Sequence, residues 1–328
     1  MNWDMLGHEW AVNLLREHVA QSRFRHAYLI TGPQGVGRRT LALRFAQALN
    51  CPQPLSPGEP CRTCRTCTQI ENMQHPDLAI VQAESVGSVL KVDQVRELLP
   101  SLSLAPYQAR YRIALFLRFE EANQNAANAL LKTLEEPPER VVLLLTAESA
   151  ESLLPTIVSR CEMLRLRALS LDTLTRGLQD RWGVPAEQAR LLAHLANGRI
   201  GVALSLYRSP ELLKQRQAWL EDHHSLLSDN RVKRFAYAEP LAKDKQRLQQ
   251  ALEVWQSLWR DVFLRASGSS VAISNLDWTE EIDRMASSLG SEPAIRMVGF
   301  IQRLIGLLEK NINLRLATEV FMLELPQL

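Results

Sequence analysis

Two clusters of residues have types and spacings that can do chemistry. The first is four cysteines, Cys51, Cys61, Cys64 and Cys67, in the pattern C-x9-C-x2-C-x2-C. Two residues between cysteines let the chain turn so that both thiolates reach one ion. Four sulfurs complete a tetrahedron around Zn²⁺ and leave no open position, which marks a structural metal. The spans between ligands, "PQPLSPGEP" and "RT", are too short and polar to build a core. Metal binding would therefore supply much of this knuckle's folding energy. Disulfides and redox cysteines are the competing readings; a reducing compartment disfavours the disulfides.

The second cluster is "GPQGVGRRT", residues 32–40. A phosphate-binding loop reads G-x-x-x-x-G-K-[ST], with Lys on the terminal phosphates and a hydroxyl on Mg²⁺. Gly32 and Gly37 keep that separation, with Gly35 between them, but Arg38 replaces the Lys and Arg39 the hydroxyl residue. Thr40 follows one residue late and serves only if the loop stretches. A working site also needs a carboxylate at the end of a neighbouring strand. The candidate strand, "IALFL" (113–117), runs into Arg118 and Phe119. Glu120 and Glu121 come later and read as an exposed acidic start to a helix, which suits the helix dipole. Hydrolysis by this chain is not expected. Arg38 keeps a charge able to touch a phosphate, so weak nucleotide binding stays open.

Strands and helices alternate around these clusters. "HAYLITG" (26–32), "DLAIVQA" (77–83), "YRIALFLRF" (111–119) and "RVVLLLTA" (140–147) read as strands. "RRTLALRFAQALN" (38–50), "VDQVRELLPSLSL" (92–104) and "NQNAANALLKTLEE" (123–136) read as helices. This alternation predicts a parallel sheet covered by helices on both faces. "LEEPP" (134–138) reads as a helix end enforced by Pro137 and Pro138. After about residue 165 strands stop. Helical patterns at 171–182, 185–196 and 201–208 suggest a small lid, and 210–328 reads as nearly all helical. Leu248, Leu252, Trp255, Trp259 and Val262 form one stripe at helical spacing, best read as core. Residues 301–310 and 314–325 repeat the pattern, while 266–277 is a Ser- and Gly-bearing loop.

The 328 residues predict two or three domains. With 46% hydrophobic residues, 23% charged residues and a net charge of +2, the balance is too near zero to suggest bulk nucleic-acid binding and leaves room for a local basic face. No apolar run approaches the ~18 residues of a membrane span. "MNWDMLGHEW" lacks the apolar region of a secretory signal, and the cytoplasm is the expected compartment.

The stretch "NAANALLKTLEEPPERVVLLLTAESAESLLPTIVSRC" (125–161) resembles the AAA+ core of the bacterial DNA polymerase III clamp loader. A four-cysteine knuckle after the phosphate-loop helix occurs in that family too. The likeness covers most of 1–210; beyond it only helix content and the closing "NINLRLATEVFMLEL" carry it. An intact SRC beside a broken phosphate loop is similar to the delta-prime branch, not to the ATP-hydrolysing gamma/tau branch. The resemblance implies an α/β AAA+ domain over 1–165 with a zinc knuckle inserted at 51–67, a helical lid over 166–208, and an all-α collar over 209–328. Anchored on "NALLKTLEEPP", it places the family's Mg²⁺-holding Asp and Glu on Leu117 and Arg118. Its sensor-2 arginine falls near Gly201, with Arg199 out of register, and its sensor-1 group on Thr146. Arg160, in Ser159-Arg160-Cys161, matches an arginine finger that acts in trans on ATP bound by a neighbour. A guanidinium stays charged and offers a rigid fork of donors to the transferring phosphate. The residues alone leave a plain ion pair at a helix end equally open. Cys161 is expected to be a buried small residue. The implied partners are gamma/tau and delta subunits in a hetero-pentamer, the sliding clamp, and primer-template DNA. The implied cofactor is structural zinc, with no ATP hydrolysis by this chain.

Two other functions compete. A self-sufficient AAA+ ATPase with an arginine phosphate loop would turn over ATP alone. A zinc-dependent nucleic-acid-binding protein would use Arg62 and Arg65 between the knuckle's ligands, but it lacks interleaved aromatics or a recognition helix.

Overall fold

The computed structural model describes residues 3–85, 87–308 and 312–328. Glu309 and Lys310, at the end of the stripe expected over 301–310, and Asn311, in the closing motif, lie outside the described residues, as do Met1 and Asn2 of the N-terminal segment. The chain divides into one unit of Met1–Gly177 with Gly198–Val202, and a second of Leu178–Asn197 with Ala203–Leu328. The segment expected as a lid, 166–208, is shared between them.

In the first unit the order is α1 (Glu9–Ala20), β1 (Ala27–Thr31), α2 (Arg38–Asn50), α3 (Arg65–Glu71), β2 (Leu78–Val81), α4 (Val92–Leu102), β3 (Arg112–Phe116), α5 (Gln124–Glu135), β4 (Val141–Ala147), α6 (Pro155–Val158) and β5 (Glu162–Arg165), with α7 (Leu171–Trp182) beginning beyond. All strand pairs are parallel, in the order β2-β3-β4-β1-β5. Side chains alternate across a strand, and here the alternation divides two cores. Tyr28, Ile30, Ile113, Leu115, Val142 and Leu144 face α1 and α2. Ala27, Leu29, Ala114, Phe116, Leu143 and Leu145 face α4, α5 and α6. Each central strand is therefore a near-continuous apolar run, as a sheet covered on both faces requires. The expected strands and helices are present. β5 is an addition that its four residues, two of them charged, did not announce.

Asp77 falls outside β2 and acts as an anchor. Its carboxylate accepts from Tyr107 N at 2.7 Å, Gln108 N at 2.7 Å and Ala109 N at 2.9 Å, which ties down the loop entering β3. Arg112 Nη2 lies 3.4 Å away.

The second unit holds the rest of α7 and α8 (Ala186–Leu195), most of α9 (Ile200–Arg208), then α10 (Pro210–Ser228), α11 (Arg231–Leu241), α12 (Lys245–Ala266), α13 (Thr279–Leu289), α14 (Ser291–Leu308) and α15 (Leu314–Glu324). The stripe on α12 is core: Leu248, Leu252, Trp255, Trp259 and Val262 are fully buried. His223 stacks on Trp255 and accepts from Trp259 Nε1 at 2.8 Å. Burial lowers its pKa to about 3, so the ring is neutral. Buried Arg234 donates to the carbonyls of Leu226, Leu227, Met322, Leu325 and Pro326, at the C-terminal ends of α10 and α15. Helix C-termini have unpaired carbonyls and favour a cation, so this arginine needs no carboxylate.

Asp77 gives a pH test. Burial opposes its ionised form, but the three N–H donors and Arg112 together hold its carboxyl below the usual carboxylate range. The folded pKa is depressed, so the contribution is complete above the unfolded value, about 4, and is lost as pH falls through the folded value. Asp77→Asn is expected to cost about 2 kcal/mol at pH 7. The gap from wild type should shrink below about pH 4 in denaturant titrations; a gap independent of pH would contradict the assignment.

Candidate functional site

The glycine turn between β1 and α2 needs its glycines. Gly32, Gly35 and Gly37 have φ of 145°, 82° and 113°. A Cβ on Gly32 would lie 2.5 Å from Leu166 O, and one on Gly35 would lie 2.8 Å from Val202 Cγ2. Gly32 N also donates to the carbonyls of Ala147 and Glu148 at the end of β4. The turn is thus a joint of the sheet, whatever it binds. Its Gly35 carbonyl accepts from Gly201 N at 2.7 Å. A Cβ on Gly201 would lie 2.9 Å from Gly35 O, so the expected sensor-2 position brings backbone against the loop.

Arg38, the first residue of α2, is buried, and its Nη1 lies 3.8 Å from Glu120 Oε1. Burial lowers the Arg38 pKa and raises that of Glu120, and each group's field opposes the other's shift. Glu148 and Arg118 are close enough to act on Arg38 as well. The acidic pair is therefore not an exposed helix start. Phe119–Glu121 form one 3-10 turn, and α5 begins afterwards with Asn123 as its cap. The cause is Arg118, whose left-handed backbone (φ 50°) turns the chain. Arg118 N donates to Thr146 Oγ1 at 3.0 Å, and that hydroxyl lies 3.3 Å from its own acceptor, Phe116 O. Thr146, expected as a sensor, is committed to this turn. Glu121 accepts from Gly87 N and Arg118 Nε. Arg39 and Thr40 are exposed on the first turn of α2, so Thr40 does not slip into the loop. The missed residue is Glu120. The sequence signal was a cation at the phosphate-lysine position, which on burial needs a countercharge or a set of acceptors.

The four cysteines converge, with their sulfurs all within 4.8 Å of one another. Cys51 Sγ and Cys61 Sγ are 3.5 Å apart, and Cys61 Sγ and Cys67 Sγ 4.0 Å. A tetrahedron with ~2.3 Å metal–sulfur bonds has edges of about 3.8 Å, whereas a disulfide needs about 2.05 Å. The donor set fits a zinc knuckle. Amides of Cys61, Cys64 and Cys67 donate to the sulfurs of Cys51, Cys61 and Cys64. Burial acts against the Cys61 thiolate, but the amides of Cys64 and Thr63 and the neighbouring thiols together hold its pKa at about 6. The knuckle is also docked. Gln47 Nε2 donates to Cys67 O at 2.7 Å, Arg44 pairs with Glu71, and Trp3 Nε1 donates to Gly58 O at 3.0 Å. Arg62 is taken by Asp4 at 2.9 Å.

Ser159, Arg160 and Cys161 follow α6 and lead into β5. Cys161, expected to be buried, is half-buried against the α4–α6 core, and burial pushes its thiol up to about 12. Arg160 Nη2 lies 2.6 Å from Glu135 Oε1, and Nη1 donates to Thr156 O at 2.8 Å. The ion pair left open by the residues is thus present. Register separates Arg160 from the glycine turn. That turn follows Thr31, paired with Arg165, whereas Arg160 precedes Glu162, paired with Tyr28 at the opposite end of the sheet.

Residues 7–170 match the family model described as DNA polymerase III, delta subunit. The DNA polymerase III subunit delta' of Bacillus subtilis is 27% identical over 320 residues, 96% of this chain and 95% of that protein. That of Pseudomonas aeruginosa is 36% identical over 193 residues, 58% of each. The Escherichia coli DNA polymerase III subunit tau is 34% identical over 208 residues, 62% of this chain but 32% of that protein. The chain spans about a third of the length of that tau relative. A solved structure of a DNA polymerase III gamma subunit-related protein from Thermotoga maritima shares the fold, with a TM-score of 0.52 and 17% identity over 95% of this chain and 97% of that one. None of the helices among the described residues is long and apolar enough to cross a membrane.

Two outcomes follow from the geometry. Glu120→Ala leaves buried Arg38 without its nearest carboxylate and should cost about 1–2 kcal/mol in denaturant unfolding; an unchanged midpoint would show that Glu120 does not support Arg38. Native mass spectrometry should find one metal ion per chain, lost in Cys64→Ser, with a lower Tm for the variant. Full metal content in the variant would remove the four-sulfur site.

Proposed function

Because the chain belongs to the DNA polymerase III clamp-loader family, we propose that it is a delta-prime subunit, a member of the loader ring that does not hydrolyse ATP. The observation that carries this reading is Arg38. The cation at the phosphate-lysine position is folded onto Glu120 inside the chain. The Mg²⁺ hydroxyl and carboxylates are replaced by Arg39, Leu117 and Arg118. At the other end of the sheet, Arg160 has a partly exposed guanidinium that does not serve its own loop. A subunit built this way acts on a neighbour's nucleotide. Arg160 is the finger, reaching across a boundary to stabilise charge on the transferring γ-phosphate.

The neighbours are gamma/tau and delta subunits in a hetero-pentamer in the cytoplasm, which opens the sliding clamp and places it on primer-template DNA. The helical unit is the collar. Its Trp-rich core is internal, while α15 leaves Leu316, Val320 and Leu323 exposed at helical spacing, suited to a neighbouring helix. The metal of the knuckle is zinc, held by Cys51, Cys61, Cys64 and Cys67 as a closed structural site.

The test is reconstitution with gamma/tau and delta subunits. A finger in trans is worth about 10³–10⁵ in rate at the site it serves. Arg160→Ala should therefore remove that site's share of DNA-stimulated ATP turnover and slow clamp loading. Equal rates for wild type and Arg160→Ala would remove the finger.

A further inference from the structure

The "LEEPP" motif, read from sequence as a helix stop, also touches the arginine. α5 ends at Glu135 because Pro137 and Pro138 follow, and Glu136 has already left helical geometry (φ −124°, ψ 74°). This stop leaves Glu135 Oε1 2.6 Å from Arg160 Nη2. On the other side, Arg160 Nη1 donates to Thr156 O at 2.8 Å and lies 3.5 Å from Ser159 Oγ. The guanidinium is thus gripped between the C-terminal ends of α5 and α6, where negative partial charge favours a cation.

The grip leaves donors free. A guanidinium has five N–H bonds, and the contacts to Glu135, Thr156 and Ser159 engage three of them. The remaining edge is available to a phosphate, and the side chain is still 34% exposed. A long arginine otherwise loses much rotamer freedom when it docks, so a held one arrives oriented.

We infer that Glu135 is a positioning residue for Arg160: it fixes the guanidinium fork before the neighbour's triphosphate arrives. This rests on the finger reading above. Glu135 touches no substrate and acts only through Arg160.

The experiment uses the full loader reconstituted with its gamma/tau and delta subunits. It measures kcat and KM for ATP in the presence of primed DNA, for wild type, Arg160→Ala, Glu135→Ala, Glu135→Gln and the double variant Glu135→Ala/Arg160→Ala. The Arg160-dependent share of turnover is wild type minus Arg160→Ala. Glu135→Ala is expected to lower that share about tenfold at unchanged KM, the size of effect a misplaced group produces. Glu135→Gln keeps the acceptor oxygen and the chain length and should retain most of it. The double variant should match Arg160→Ala. A merely structural role would lower the Tm of both Glu135 variants and leave kcat alone. If Arg160→Ala lowers turnover and Glu135→Ala does not, the positioning role is overturned and the finger stands. If Arg160→Ala changes nothing, both fall.

Discussion

Arg38, buried at the start of α2, and half-buried Glu120, 3.8 Å from it, are the charge pair on which the surroundings of the glycine loop depend. A buried guanidinium without a countercharge or acceptors is costly, and here Glu120 supplies a countercharge 3.8 Å away. The carboxylate reaches it because Arg118 adopts a left-handed turn, and that turn is pinned by the Thr146 hydroxyl. Arg38 thus lies beside Glu120, and the backbone of Arg118 is held by Thr146. The glycines persist for a separate reason: side chains at Gly32 and Gly35 would collide with Leu166 and Val202.

A parallel sheet gives its two ends different work. The glycine turn lies at the C-terminal end of β1, the usual ligand end of such sheets. Arg160 precedes β5 at the opposite end, with Glu135 and Thr156 beside it. One end holds the Arg38–Glu120 pair, and the other holds a partly exposed Arg160 paired with Glu135. The knuckle contributes by location. Inserted between α2 and β2, it is tied to α2 through Gln47 and Arg44 and to the N-terminal segment through Trp3.

Much of this was legible in the sequence because it rests on local pattern. Apolar runs of four to eight residues bounded by glycine or charge gave the four long-patterned strands, and the α12 stripe read as core and is core. Cysteine spacing implied convergence, and the sulfurs converge. What escaped depends on long-range approach. β5 is short and half charged, so nothing periodic marked it. Glu120 and Glu121 looked like a helix start because helix dipoles favour acids there; a single left-handed residue sent them elsewhere. Asp77 looked like the first residue of a strand, but it ties a loop thirty residues away. The contact between Glu135 and Arg160 joins two motifs read separately, and only the packing of α5 against α6 connects them.

The central claim is that this polypeptide has no triphosphate chemistry of its own. The direct measurement is phosphate release by the purified chain alone, with ATP and Mg²⁺, compared with its Arg38→Ala variant. The account predicts that neither exceeds the background. Sustained turnover by the isolated chain, abolished by Arg38→Ala, would contradict it.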